Sequence, residues 1–266
     1  MQTLKVSTMS NQKLQLLLDI PEPEALFHFG EYARVLTNAI VNSKAQLTIG
    51  IWGAWGKGKS TLLEMIRLEI GKQKEEILVV PFDAWRFQHD IHMALPMLET
   101  LKEILEEHKG ALQNLTGTIA KLTMALAHSV TVKVGAAEIS PGHMLEEMQE
   151  ETNSQYYQWH KSLSDALKQA RSQSPQSRIV FLIDDLDRCL PDKAIQVLEA
   201  IKVMFDVEGF IFVLALDKSV LENAVEAHYG KDYGINGRDY IKKLVQVEFT
   251  LPALRQQDLQ DYVTQL

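Results

Sequence analysis

The stretch whose residue types and spacing point most directly to chemistry is Gly53-Ala54-Trp55-Gly56-Lys57-Gly58-Lys59-Ser60, followed by Thr61. It fits the spacing G-x-x-x-x-G-K-[ST], which cradles a nucleoside triphosphate. A backbone wrapped around phosphates must point successive N–H groups inward, and glycine tolerates the positive φ and close approach this requires. Gly53, Gly56 and Gly58 supply that freedom, and the whole run from Gly53 to Thr61, including Ala54, Trp55 and Lys57, is expected to surround the phosphates. Lys59 is expected to reach the β- and γ-phosphate oxygens, the Ser60 hydroxyl to ligate Mg²⁺, and Thr61 to touch the α-phosphate.

A second candidate centre is Asp184-Asp185-Leu186-Asp187-Arg188-Cys189, directly after the apolar run Ile179-Val180-Phe181-Leu182-Ile183. Such a run reads as a buried strand, and in open α/β sheets ligands bind at the carboxyl ends of strands. Asp184 is placed in the magnesium shell, and Asp185 is the acid that aims a water at the γ-phosphate. The plain alternative, a strand entering a solvated acidic turn, loses weight once a phosphate loop lies upstream. Asp217 ends another apolar run, Phe210 to Leu216, where it either senses the γ-phosphate or caps the following helix. Trp85 and Arg86, after the run Ile77 to Phe82, either close a core edge or shape the region beside the phosphates.

The elements that must position these residues follow from apolar periodicity. Asp19-Ile20-Pro21-Glu22-Pro23 reads as extended, and a helix starts near Phe29 with Tyr32, Ala33, Val35, Leu36, Ala39 and Ile40 at helical spacing. A strand over Gln46–Trp52 feeds the phosphate loop, and a helix from Ser60 to about Gly71 leaves it. From 88 to 177 the pattern is mainly helical, with helices over Met93–His108 and Met144–Gln173, a short alternating strand at Val130-Thr131-Val132-Lys133-Val134, and a turn at Ser140-Pro141-Gly142. A helix opened by Pro191 is expected over Asp192–Met204, another over Ser219–His228, and a last strand over Leu244–Phe249. The chain therefore divides into a first core part at 1–87, an insertion at 88–177, a second core part at 178–252, and the opening of a helical lid at 253–266. A core of this type usually continues into such a lid, so the sequence is expected to be a fragment.

At 266 residues the chain has room for one large α/β domain with an insertion. A net charge of −8 argues against a surface that grips nucleic acid throughout. The single cysteine, Cys189, excludes an internal disulfide and fits a reducing, cytoplasmic compartment. No apolar run is long enough to span a bilayer, since Gln113, Asn114, Lys121 and His128 interrupt the nearest candidate, so membrane partners are not indicated. His89, His92, His108, His128 and His143 show no metal-ligand spacing.

These motifs together resemble the KAP family of P-loop NTPases. The resemblance is carried by Gly53 to Thr61, Asp83-Ala84-Trp85-Arg86-Phe87, and Asp184 to Cys189 with Pro191. It extends over Phe212 to Asp217, Tyr229-Gly230, and Tyr240 to Gln246 ending in Leu251-Pro252. It implies a three-layer α/β P-loop fold with a mostly parallel sheet in the order 5-1-4-3-2, related to AAA+ and signal-transduction ATPases. Asp185 stands where that wider division usually has glutamate. Family members include bacterial proteins linked to phage exclusion and animal membrane-associated scaffolds, many with transmembrane helices between the phosphate loop and the second acidic motif. The insertion in this chain is too polar for that.

Two functions of different classes follow. One is a Mg²⁺-dependent ATPase acting as a switch or assembly engine in a homo-oligomer or with a partner protein, carried by Lys59, Ser60, Asp184 and Asp185. The other is an ATP-gated interaction module with negligible turnover, favoured because no arginine is clearly placed to reach the γ-phosphate. Arg188 is the nearest candidate, and Arg238 and Arg255 are candidates for contact in trans. A GTPase or small-molecule kinase is disfavoured, because D-x-x-G and N-K-x-D are both missing and Ala215-Leu216-Asp217-Lys218 imitates the latter poorly.

Overall fold

A computed structural model describes residues 29–43, 46–73, 76–135, 144–230 and 234–252. The expected extended entry at Asp19–Pro23, the turn at Ser140–Gly142 and the lid at 253–266 lie outside these residues.

The sheet has five parallel strands: β1 (Leu47–Trp52), β2 (Ile77–Asp83), β3 (Arg178–Asp184), β4 (Phe210–Leu216) and β5 (Val247–Thr250). Their order is β2-β3-β4-β1-β5, the expected order read from the other edge. The central strands β3 and β4 are apolar because both faces are covered: every residue of β4 is buried, and in β3 only Asp184 is partly exposed.

Alternate side chains feed two cores. On one face Ile49, Ile51, Val180, Leu182, Ile211 and Val213 pack under α1 (Phe29–Asn42) and α2 (Lys59–Ile70). On the other, Phe181, Phe210 and Phe212 stack with Phe205 beneath the remaining helices. Three of these helices come from the insertion: α3 (Ala94–Glu107), α4 (Thr116–Gly135) and α5 (Met144–Gln173). Leu101, Leu105, Leu115, Ile119, Leu163 and Leu167 join them to the sheet in one continuous core. At the rear of the sheet the Glu76 carboxylate accepts from Leu112 N–H (3.0 Å) and Ser177 Oγ (2.8 Å), and lies 2.9 Å from His108 Nε2, tying this layer to β2 and β3.

Two expectations are corrected. Val130–Val134 is the end of α4, not a strand. The buried Ile119, Leu122, Thr123 and Leu126 recur at helical spacing upstream, and the helix they found carries the β-branched run along with it. The last strand starts at Val247, because Gly237–Leu244 forms a helix, α8. Its start is fixed by the Asn236 side chain accepting from Asp239 N–H, and Ile241 and Leu244 are its buried face.

The helices expected over Asp192–Met204 and Ser219–His228 are present but change pitch. α6 (Pro191–Glu199) and α7 (Lys218–Val225) each widen into a π turn, Ala200–Met204 and Glu226–Gly230. The Tyr229 hydroxyl donates to Glu199, joining the second π turn to the end of α6.

Candidate functional site

Parallel strands deliver their loops to one end of the sheet, and β4, lying between β1 and β3, sets the distance between the two candidate centres. Gly53 N–H donates to Leu216 O at 3.3 Å, so the phosphate loop leaves β1 pinned to the tip of β4. Gly56 (φ 73°) and Gly58 (φ 85°) take the left-handed turns the loop needs. A side chain on Gly56 would meet open space, whereas one on Gly58 would lie 2.6 Å from the Phe29 ring. Gly58 precedes α2 without a side-chain cap, which leaves the first N–H groups of α2 facing the loop.

A cleft of about 800 Å³ opens here, and its wall includes Lys59, Ser60, Thr61, Asp184, Asp185 and Asp217. Trp55, Gly56, Gly58 and Arg188 line it as well, whereas Gly53, Ala54 and Lys57 do not. Gly53 and Ala54 act through their carbonyls, which accept from Lys59 Nζ at 3.0 and 3.4 Å. Lys57 N–H closes the turn onto Ala54 O at 3.3 Å.

Asp184 and Ser60, the two expected magnesium ligands, line the same cleft, and the Ser60 hydroxyl favours the Asp184 carboxylate. Burial raises the Asp184 carboxyl above its usual range, with Ser60, the Asp185 N–H and the Lys59 charge pulling the other way. Asp185 is the one non-glycine residue with positive φ among the described residues (φ 54°). Its carboxyl is pushed up to about 6 by burial and by the charge of Asp184 beside it. Arg188 Nε lies 2.9 Å from Asp185 Oδ1. The Arg188 guanidinium also covers two indoles, 4.9 Å from the centre of Trp55 and 5.7 Å from that of Trp85. Burial, with Asp83, Asp185 and Asp187 nearby, raises the Cys189 thiol to about 12, which keeps it protonated.

Asp217 caps α7, accepting from Ser219 N–H (2.9 Å) and Ser219 Oγ (2.7 Å), and those bonds hold its carboxyl below the usual range. It also lines the cleft. Trp85 lines the cleft, but Arg86 does not: it is 74% exposed and faces Asp83 at 3.7 Å. Arg238, on α8, is not among the cleft-lining residues, and Arg255 lies outside the described residues.

Asp187 was given no role by the sequence, yet its carboxylate lies 3.4 Å from Lys59 Nζ. The available signal was its spacing from Asp184: the single turn Leu186–Arg188 brings a residue three positions on back toward the same cleft.

The donor set suits a magnesium-bound triphosphate. Asp184, Asp185, Asp187 and Asp217 outnumber Lys59 and Arg188 on the cleft wall, so a bare polyphosphate would meet surplus negative charge there. A divalent cation would offset this surplus, and Asp184 and Ser60 are the groups that could hold it. Among the described residues no trio of histidine, cysteine or acidic side chains forms a separate metal site, and no helix is long and apolar enough to cross a membrane.

Comparison with known proteins agrees with this geometry. The chain is 35% identical over 75 residues to the kinase D-interacting substrate of 220 kDa of Rattus norvegicus and to that of Homo sapiens, covering 27% of this chain and 4% of each relative. It is 23% identical over 260 residues to the phage T7 exclusion protein of Escherichia coli (strain K12), covering 90% of this chain and 35% of that protein. This chain thus spans only a minor part of the relatives it matches. The KAP family P-loop domain matches residues 29–266, and with the parallel sheet, phosphate loop and paired acids in place, the chain belongs to the KAP family of P-loop NTPases.

Proposed function

We propose that this chain binds ATP with Mg²⁺ and hydrolyses it, acting as a nucleotide-driven switch or assembly engine. The observation that carries the reading is the convergence of Lys59, Ser60 and Asp184 on one cleft wall. Residues far apart in sequence meet where a triphosphate and its cation need them. Mg²⁺, when bound, would neutralise phosphate charge and polarise the γ-phosphoryl group.

The protein's own groups do the rest. The Gly53–Thr61 loop orients the phosphates, and Lys59 leaves the loop carbonyls to meet them. Asp184 and Ser60 hold the cation. Asp185 orients a water and takes its proton as the water oxygen bonds to the γ-phosphorus and the bond to the ADP oxygen breaks. Its carboxyl near 6 is matched to accepting a proton close to neutral pH. Loss of the γ-phosphate would relax contacts at the strand tips and shift the insertion or a bound partner, a second copy or another protein. A cytoplasmic location, where ATP is abundant and Cys189 stays reduced, suits this chemistry. The likeness to a phage T7 exclusion protein supports a role in anti-phage defence.

A second reading, an ATP-gated scaffold with negligible turnover, is favoured by one observation: Arg188 is already engaged with Asp185 and two indoles. Phosphate release with MgATP from the wild type and from Lys59→Ala tests the first reading. Release by the wild type alone is expected. Equal rates in both overturn hydrolysis at this site, and tight ATP binding without release decides for the scaffold.

A further inference from the structure

We propose that Asp187 is a positioning residue that passes triphosphate occupancy from Lys59 to the start of α7. The proposal rests on the nucleotide reading above and assigns a role to a side chain that reading does not use. One oxygen, Asp187 Oδ2, makes both contacts: it lies 3.4 Å from Lys59 Nζ and accepts the Asp217 N–H at 2.8 Å. A carboxylate oxygen offers two lone-pair directions, and here one faces a cation and the other a main-chain donor. The Lys59 and Asp187 side chains are only 10% and 13% exposed, so the pair is little screened by solvent. Asp217 in turn caps α7 through Ser219, so the position of Asp187 sets where α7 begins.

Lys59 Nζ divides its contacts among Asp187 and the carbonyls of Gly53 and Ala54. A triphosphate competes for the same ammonium group, and its charge repels the Asp187 carboxylate. Lys59 then turns to the phosphates, and Asp187 is left bonded to Asp217 N–H alone. The switch therefore has a direct line from the phosphate loop across the tip of β4 to α7, and Asp187 opposes binding while it transmits it.

The test pairs D187N, which keeps an acceptor for Asp217 N–H and removes the charge, with D187A, which removes both. ATPγS affinity and amide hydrogen exchange over residues 217–225 are measured for each. The wild type is expected to bind ATPγS with slowed exchange in this segment. D187N is expected to bind about threefold to tenfold more tightly, because a like charge has gone. It should keep the protection of the nucleotide-free protein and lose the nucleotide-dependent change. D187A is expected to exchange faster at the start of α7 even without nucleotide. Wild-type affinity and exchange in both variants overturn the relay, as does weaker binding in both with an unchanged exchange response. No ATPγS binding by the wild type overturns the nucleotide reading and the relay together, and that outcome is distinct because it shows in the unmutated protein.

Discussion

Arg188 holds Asp185 from one side while two indoles hold Arg188: its Nε is 2.9 Å from Asp185 Oδ1, and its guanidinium lies over Trp55 and Trp85. Trp55 is 77% exposed and Trp85 46% exposed, so without the arginine these rings would present bare apolar faces at the mouth of the cleft. The contact keeps a cation beside a carboxylate that burial and Asp184 have already raised to about 6. Arg188→Ala removes that cation, the anionic form of Asp185 becomes less favourable, and its carboxyl rises further. If Asp185 is the proton acceptor, the acidic limb of the pH profile of phosphate release moves up by about 1 pH unit. Arg188→Lys restores part of the charge without the planar stack, and an intermediate shift is expected. A limb that stays in place in Arg188→Ala would remove Asp185 from the proton-accepting role.

The place of Asp184 on the cleft wall beside Ser60 predicts a different failure. Burial disfavours the Asp184 charge, so Asp184→Asn should leave folding intact or slightly strengthened. In the proposed site the same change would deprive Mg²⁺ of an anionic protein ligand. ATP affinity measured with Mg²⁺ should fall about tenfold or more, a loss of about 1.4 kcal/mol or greater. Affinity measured in EDTA should be unchanged or better, since a negative charge has been removed. Titration of wild type and variant under both conditions reads the difference, and equal losses with and without the metal would point to a structural role for Asp184 alone.

The parts of this site legible in the sequence are those whose geometry is local. Gly53 to Thr61 sits between a strand and a helix with fixed spacing, and Asp184 ends an apolar strand, so backbone geometry alone aims them. Sheet order followed from the family resemblance, not from periodicity. Asp187 was not legible, because its role depends on the turn at Leu186–Arg188 and on the tip of β4, which supplies the Asp217 N–H. The Trp55–Arg188–Trp85 stack joins three loops that no spacing rule connects. At Val130–Val134 the β-branched alternation predicts a strand, and the prediction fails because the helix already running from Thr116 decides the outcome.

Gly58 tests whether the loop's shape or only its sequence matters. Its φ of 85° disfavours any side chain, and a Cβ there would meet the Phe29 ring at 2.6 Å. Gly58→Ala combines left-handed strain of about 1–2 kcal/mol with displacement of α1 from its seat on the loop. A lower thermal midpoint is expected together with loss of ATP binding. At Gly56, where a Cβ meets nothing within 4 Å, alanine carries the strain without the clash, so a smaller drop in stability is expected. Equal destabilisation at the two positions would show that Phe29 yields freely.

Glu76 gives a prediction about stability away from the cleft. Burial alone would raise its carboxyl, but the Leu112 N–H, His108 and the Ser177 hydroxyl outweigh it and hold the carboxyl below the usual value of 4.5. A carboxylate whose folded pKa is depressed binds fewer protons in the folded state than in the unfolded chain around those pH values. Its contribution is therefore fully present above the unfolded pKa and is lost as pH falls through the lower, folded one. Glu76→Gln keeps an acceptor oxygen and removes the titration. Urea midpoints measured at pH 7 and at about pH 3.5 should show the wild type losing more stability on acidification than the variant. Because this carboxylate joins the insertion to the rear of β2 and β3, the variant should retain ATP binding at the opposite end of the sheet, and equal acid sensitivity of the two proteins would show that Glu76 does not anchor that layer through its charge.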